Sequence, residues 1–144
     1  MRNASVPLDF SKCSALVVDD CGTMRHLVIH LLHEAGFGRI AEAEDGIQAL
    51  LQLKQRSFDI VASDWNMPNM NGLELLKAVR LSAEHKRIPF LLATAESNKN
   101  SIVAATQAGA DGYILKPFNE ATLTLKIEGI FVRKGLASTA CQAA

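Results

Sequence analysis

The chain lacks most of the features that would tie it to an oxidising compartment, a membrane or a nucleic acid. It has only three cysteines, Cys13, Cys21 and Cys141, an odd number with no CxxC pair. That excludes a disulfide framework legible from spacing and a thiolate zinc site, and predicts free thiols in a reducing compartment. Charge of one sign is also missing: Lys plus Arg number 15 and Asp plus Glu 15, for a formal net charge of +0 at pH 7. Without clustered Lys and Arg to meet phosphates, direct nucleic-acid binding is excluded. The N-terminal MRNASVPLDFSK has no basic segment followed by an apolar one, so it is no secretory signal, and no apolar run is long enough to span a bilayer. A cytoplasmic protein with no membrane insertion is expected. The C-terminal CQAA has the form of a prenylation box, but Gln142 occupies an aliphatic position and no polybasic stretch precedes it. Residues 136–144, rich in Ala, Ser and Thr, read instead as a frayed tail.

What is present is an alternation, repeated five times, of short apolar runs with helical periodicity. At 144 residues the chain suits a single domain with one sizeable core. ALVVD is a continuous run of strand length, followed by Met24, Leu27, Val28, Leu31, Leu32 and Ala35 at the three-and-four spacing of one helix face, with Gly36 as the stop. RIAEA is a short alternating strand, and a helix over 45–55 is predicted to turn Ile47, Leu50 and Leu51 to the core. After FDIVAS, Asn71 and Glu74 have capping-box spacing ahead of Leu75, Leu76 and Val79. IPFLLAT and GYILK are the fourth and fifth strands, followed by helices over 98–108 and 120–134. Short loops between alternating strands and helices predict an α/β fold with a parallel sheet covered on both faces. Continuous apolar runs in strands one, three, four and five agree with that, and the polar alternate positions of strand two put it at an edge. Gly129, inside the last helix, should cost ~1 kcal/mol relative to Ala.

Ligands of open parallel sheets bind beyond the carboxyl ends of the strands. Strand one delivers Asp19 and Asp20 there, strand three Asp64, strand four Thr94 and strand five Lys116. Helix capping accounts for single residues of this kind, with Asp20, Asn71 and Ser97 as plausible N-caps, but not for three carboxylates on one rim. Two carboxylates ~4 Å apart repel by about 4 kcal/mol at an effective dielectric of 20. Three together need cations. Lys116 supplies one charge and a divalent ion would supply two; oxygen ligands without histidine or thiolate favour Mg²⁺ over zinc, and Mg²⁺ so held commonly meets a phosphate. A metal-assisted phosphoryl site is the chemistry this set suits.

VVDD, DWNMPNMNG, TAE and GYILKPF, in this order and spacing, resemble the receiver domain of bacterial two-component signalling, and more narrowly the stand-alone chemotaxis response regulator. The resemblance covers residues 14–134, leaving 1–13 as an N-terminal extension and 135–144 as a tail expected to be disordered. It implies a doubly wound, flavodoxin-like (βα)5 fold with strand order 2-1-3-4-5, an order for which that family is itself a standard illustration. It further implies that Asp64 is the nucleophile taking a phosphoryl group from a histidine kinase. Asp20, Asp64 and the main-chain carbonyl of Asn66 would hold Mg²⁺, with Asp19 acting mostly through water. Lys116 and Thr94 would bind phosphoryl oxygens, Tyr113 would turn inward when Thr94 moves, and Lys116-Pro117 would be cis. The physical requirement is independent of the resemblance: a carboxylate attacks phosphorus only when its charge and that of the phosphate are neutralised.

By the same resemblance the docking face comprises Lys99, Ile102, Val103, Tyr113 and Lys126, the output partner is a flagellar motor switch protein, a phosphatase is a further partner, and the chain is a monomer. It would be a signalling switch, not an enzyme, that assists its own phosphorylation and dephosphorylation. With ten residues after Lys134, no output domain is expected within the chain, and the signal would leave by docking. The NKNS at 98–101 departs from the lysine- and acid-rich start of this helix in motor-binding members, which leaves open a phosphate sink or a regulator of another pathway with the same chemistry. A phosphatase of the haloacid dehalogenase type needs Asp-x-Asp after its first strand, whereas Asp20 precedes Cys21-Gly22 and Asp64 precedes Trp65-Asn66. A dinucleotide-binding fold lacks its glycine-rich turn. His26, His30 and His33 lie opposite the Leu27/Leu31 stripe and read as a solvated face, and Cys21 as a loop residue with only Arg25 near it.

Overall fold

In β1 (Ser14–Val18) every residue is buried, yet neighbours serve different cores: Ala15 and Val17 pack on one side of the sheet, Leu16 and Val18 on the other. This is the two-residue period of a strand covered on both faces. The computed structural model describes residues 9–95 and 98–135. After β1 come α1 (Gly22–Glu34), β2 (Arg39–Ala43), α2 (Gly46–Gln55), β3 (Ile60–Asp64), α3 (Gly72–Leu81), β4 (Phe90–Thr94), α4 (Lys99–Ala108), β5 (Gly112–Leu115) and α5 (Glu120–Arg133). The five strands pair in parallel in the order β2-β1-β3-β4-β5, so the expected α/β architecture and strand order are present.

Helices α1 and α5 cover one face. Val28 and Leu32 of α1 meet Leu123, Ile127, Ile130 and Phe131 of α5 over Val17, Leu91 and Ile114. Helices α2, α3 and α4 cover the other, placing Leu53, Leu75, Leu76, Val79 and Ala105 on Leu16, Val61, Phe90 and Leu92. Each fully buried Leu, Ile or Phe contributes about 1.5–3 kcal/mol relative to exposure, so the two clusters hold the sheet rigidly from both sides. Residues before β1 join the first cluster: Phe10 stacks on Phe37 at a centroid distance of 4.7 Å and meets Phe131 edge-on at 5.6 Å.

Five expectations are corrected: in α1, Val28 and Leu32 are buried, whereas Leu27, assigned to the same face, is 42% exposed. In α2 it is Ala49 and Leu53 that are buried, whereas Ile47 and Leu51 are 49% and 54% exposed and Leu50 lies between. The stripe at 46, 49 and 53 faces the sheet, and 47 and 51 fall outside its arc. Strand β5, the second edge, is only partly buried, with Leu115 41% exposed. Asp20 caps nothing: the N-cap of α1 is Cys21, and Asp19 Oδ1 accepts from the Cys21 N–H at 2.9 Å. Cys13 is buried and disulfide-bonded, against the expectation of three free thiols, while Cys21 is free and exposed. Asn71 and Glu74 form the full reciprocal capping box, and His26, His30 and His33 are exposed, both as expected. Ser97, Glu96 and the CQAA terminus lie outside the described residues; α4 is capped by Asn98.

Candidate functional site: an acidic rim at the carboxyl end of the sheet

Parallel pairing brings the ends of β1, β3, β4 and β5 to one rim. Val18 lies opposite Ser63, Asp64 opposite Ala93, and Thr94 opposite Leu115, so Asp19 and Asp64 arrive level, Thr94 one residue beyond and Lys116 two. One carboxylate oxygen from each of Asp19, Asp20 and Asp64 lies within 4.8 Å of the others. Asp19 is buried, Asp64 half-buried and Asp20 exposed, which gives the cluster a dry floor and an open side. Lys116 follows β5 and precedes a cis Lys116-Pro117 bond, and its Nζ lies 2.8 Å from Asp64 Oδ1 and 3.3 Å from Asp19 Oδ2.

The electrostatics follow from this packing. Burial pushes the Asp64 carboxyl above its ordinary value; the Lys116 hydrogen bond pulls down, the Asp19 charge pushes up, and the result stays high. Burial pulls the Lys116 ammonium down, but the hydrogen bond and charge of Asp64, with those of Asp19, outweigh it, so Lys116 stands above its ordinary 10.5. Three carboxylates therefore share one ammonium. An all-oxygen donor set short of positive charge suits a hard divalent cation, and Mg²⁺ among these.

Thr94 is buried at the end of β4, and its carbonyl accepts from the Lys116 N–H at 2.8 Å. Asn66 is exposed on the loop following Asp64. That loop is closed by Gly72, whose N–H donates to Trp65 O at 2.8 Å and whose position allows no side chain, since a Cβ would lie 2.3 Å from Asp64 O. Tyr113 is half-buried against the α2–α4 side, with Lys126 Nζ 5.5 Å from its ring centroid. Beside it opens a groove of about 550 Å³ along β5 and α5, lined by Tyr113, Leu115, Phe118, Thr122 and Lys126 among others. Lys99 and Val103 of α4 are exposed, and Ile102 is partly so. The expected site residues thus fall into two groups, the rim and the α4–β5–α5 face, with Thr94 and Lys116 between them. Arg25 is engaged by Glu42 at 2.6 Å and by the Asp19 carbonyl at 2.8 Å.

Sequence reasoning missed Asp45, the N-cap of α2, which accepts from the Gln48 N–H at 2.9 Å and from Asn69 Nδ2 at 2.8 Å. The Asp-Gly pair ahead of an apolar helix signalled the cap; nothing in the linear pattern signalled the contact with Asn69.

Known proteins resemble this chain in sequence and fold. The response regulator receiver domain matches residues 15–128. Chemotaxis protein CheY-3 of Vibrio cholerae serotype O1 is 50% identical over 118 residues, spanning 82% of this chain and 91% of that protein. The solved structure of Vibrio cholerae chemotaxis protein CheY4 superposes with a TM-score of 0.78 at 36% identity, covering 82% of this chain and 98% of that one. The receiver domain of the sensor histidine kinase PA1611 from Pseudomonas aeruginosa PAO1, solved with a magnesium ion coordinated in its active-site cleft, gives a TM-score of 0.74 at 25% identity over 85% of this chain and 98% of that one. With its strand order, its acidic rim and these relatives together, the chain belongs to the response regulator receiver family and is closely related to the chemotaxis regulators of the CheY type.

Proposed function

We propose that this protein is a phosphorylation-driven switch in which Asp64 accepts a phosphoryl group from a histidine kinase and the α4–β5–α5 face carries the result to a partner. The observation that carries this reading is the placement of Lys116 Nζ between Asp64 and Asp19, with Asp20 completing a carboxylate cluster within 4.8 Å. In the receiver unit of residues 14–134, Asp20, Asp64 and the carbonyl of Asn66 are the groups that would hold Mg²⁺, with Asp19 acting through water. Bound there, the ion supplies charge neutralisation for the incoming phosphoryl oxygens. A carboxylate oxygen of Asp64 forms the new P–O bond as the P–N bond to the kinase imidazole breaks. Lys116 and the Thr94 hydroxyl take phosphoryl oxygens, and the same residues assist the later hydrolysis of the acyl phosphate.

Thr94 and Lys116 are joined through the backbone just past the carboxyl end of β5, and Tyr113 lies on that strand three residues before Lys116. This continuity supports a route from rim to face, with Lys99, Ile102, Val103, Tyr113 and Lys126 as the docking residues. By kinship with the CheY-type relatives, the partner is the flagellar motor switch and the setting the cytoplasm. The start of α4, where Asn98 caps the helix by accepting from the Asn100 N–H at 2.8 Å, favours testing a second output, a phosphate sink or another pathway's regulator.

Two experiments test the proposal. Acetyl phosphate with Mg²⁺ should add one phosphoryl group to the protein by intact mass and none to Asp64→Asn, whose amide is a poor nucleophile; a full adduct on that variant refutes the assignment. A pull-down with and without beryllofluoride then identifies what binds only the activated form: a motor component supports the chemotaxis output, and its absence beside another regulated partner favours the second reading.

A further inference from the structure

Asn69 is the one non-glycine residue with positive φ among the described residues, at 67°. Asparagine tolerates the left-handed region better than most residues, but something must hold it there. Here Asn69 Nδ2 donates to Asp45 Oδ2 at 2.8 Å, while Asp45 Oδ1 accepts from the Gln48 N–H at 2.9 Å at the start of α2. One residue along, the Gly46 N–H donates to Met70 O at 3.2 Å, and a Cβ on Gly46 would lie 2.6 Å from Met70 Cγ, so helix and loop approach as closely as glycine permits. Asp45 is buried, with its carboxyl held below its ordinary value by the Gln48 N–H first and the Asn69 amide second. The loop between Asp64 and α3 is thus pinned at its root by the Gly72-to-Trp65 hydrogen bond and at its tip by α2. Asn66 lies between those two points.

We infer that Asp45 and Asn69 are positioning residues for cation binding at the rim, their hydrogen bond holding Asn69 in its left-handed conformation and so keeping the segment that carries Asn66 in register with Asp64 and Asp20. Neither side chain touches the rim; they act on it through the loop. The inference rests on the reading of the rim as a Mg²⁺ site. Groups that orient metal ligands from outside typically change affinity 10–100-fold when lost, and a clamp acting through a loop belongs at the lower end, about tenfold.

The test is a Mg²⁺ titration of the full chain, followed by emission of Trp65, alongside the urea midpoint measured without Mg²⁺. Asp45→Ser keeps a helix-capping hydroxyl and removes the reach to Asn69; Asn69→Ala removes the other partner. Each should weaken Mg²⁺ affinity about tenfold, and the double variant should lose little more than either, because both delete one interaction. A purely structural role would lower the urea midpoint and leave the affinity alone. Wild-type affinity in either single variant, or losses that multiply in the double, overturns the inference. Wild-type protein and Asp20→Ala serve as the reference arms. If wild type responds, Asp20→Ala is weakened and Asp45→Ser is unchanged, the clamp fails and the Mg²⁺ site stands; if wild type does not respond, both fall.

Discussion

The two ends of the sheet each join a strand-end carboxylate to cationic side chains, with opposite results. At the amino end, before β5, Asp111 is saturated: Oδ2 accepts from Arg80 Nη2 at 2.9 Å and the Phe90 N–H at 2.8 Å, and Oδ1 from Lys134 Nζ at 3.1 Å. Arg80 uses three more of its five donors, two on Gly109 O and one on Ile88 O. One carboxylate meets two cations, and α3, β4, β5 and α5 are stapled together. At the carboxyl end, three carboxylates meet one ammonium, and Asp64 is held above its ordinary titration range by burial. Ion pairing of the same kind gives a structural joint where donors match acceptors, and a rim suited to a cation where positive charge falls short.

The largest break of this comparison should come at the stapled end. Arg80→Ala leaves Asp111 and two carbonyls short of partners and should cost about 3 kcal/mol in urea unfolding, with Mg²⁺ affinity unchanged. The rim should respond in the opposite sense. Asp64→Asn should stabilise the metal-free protein by about 0.5–2 kcal/mol, the usual range for relieving a functional-site conflict. The sign follows from linkage. A carboxyl whose folded pKa is raised favours the fold while protonated and loses that contribution as pH rises from its ordinary 3.8 through the folded value. The advantage of Asp64→Asn should therefore be present at pH 7 and vanish below pH 3.8. Lys116, titrating above 10.5, should contribute stability at neutral pH that disappears as pH rises beyond that value, a loss absent from Lys116→Ala.

Supplying the missing charge should sharpen the contrast further. Mg²⁺ at ten times its dissociation constant should stabilise the wild type by about 1.4 kcal/mol, an effect reversed by EDTA and weakened in Asp20→Ala, while Arg80→Ala gains as much as wild type. The smallest effect concerns α5. A Cβ at Gly129 would sit 3.4 Å from Arg133 Nη1, and Arg133 Nη2 donates to Asp111 O at 2.5 Å. Gly129→Ala should raise the urea midpoint by the equivalent of about 0.5–1 kcal/mol, provided Arg133 keeps that contact.

Much of this was legible in the linear pattern. Continuous apolar runs identify β1, β3 and β4 because a strand buried on both faces has no polar positions to interrupt it, and the strand ends then place Asp19, Asp20, Asp64, Thr94 and Lys116 on one rim. Helix α2 misleads because Ile47 and Leu51 are as apolar as Leu50 and Leu53, which do pack on the core, and alanine and glycine at 49 and 46 carry little weight in a hydrophobic count. The Asp20 cap fails because α1 starts one residue later, with the extended Cys21 as its N-cap, which leaves Asp20 outside the first turn. Asp45 and Asn69 lie 24 residues apart and become partners only through tertiary packing, which no local period encodes.

If Asp64 is the phosphoryl acceptor proposed above, the charge-deficient rim should load that one carboxylate and no other. Borohydride reduction of the protein after reaction with acetyl phosphate and Mg²⁺, followed by peptide mass mapping, locates the acyl phosphate directly. The account predicts reduction at position 64 alone, dependent on Mg²⁺; reduction at Asp19 or Asp20, or at none of the three, would contradict it.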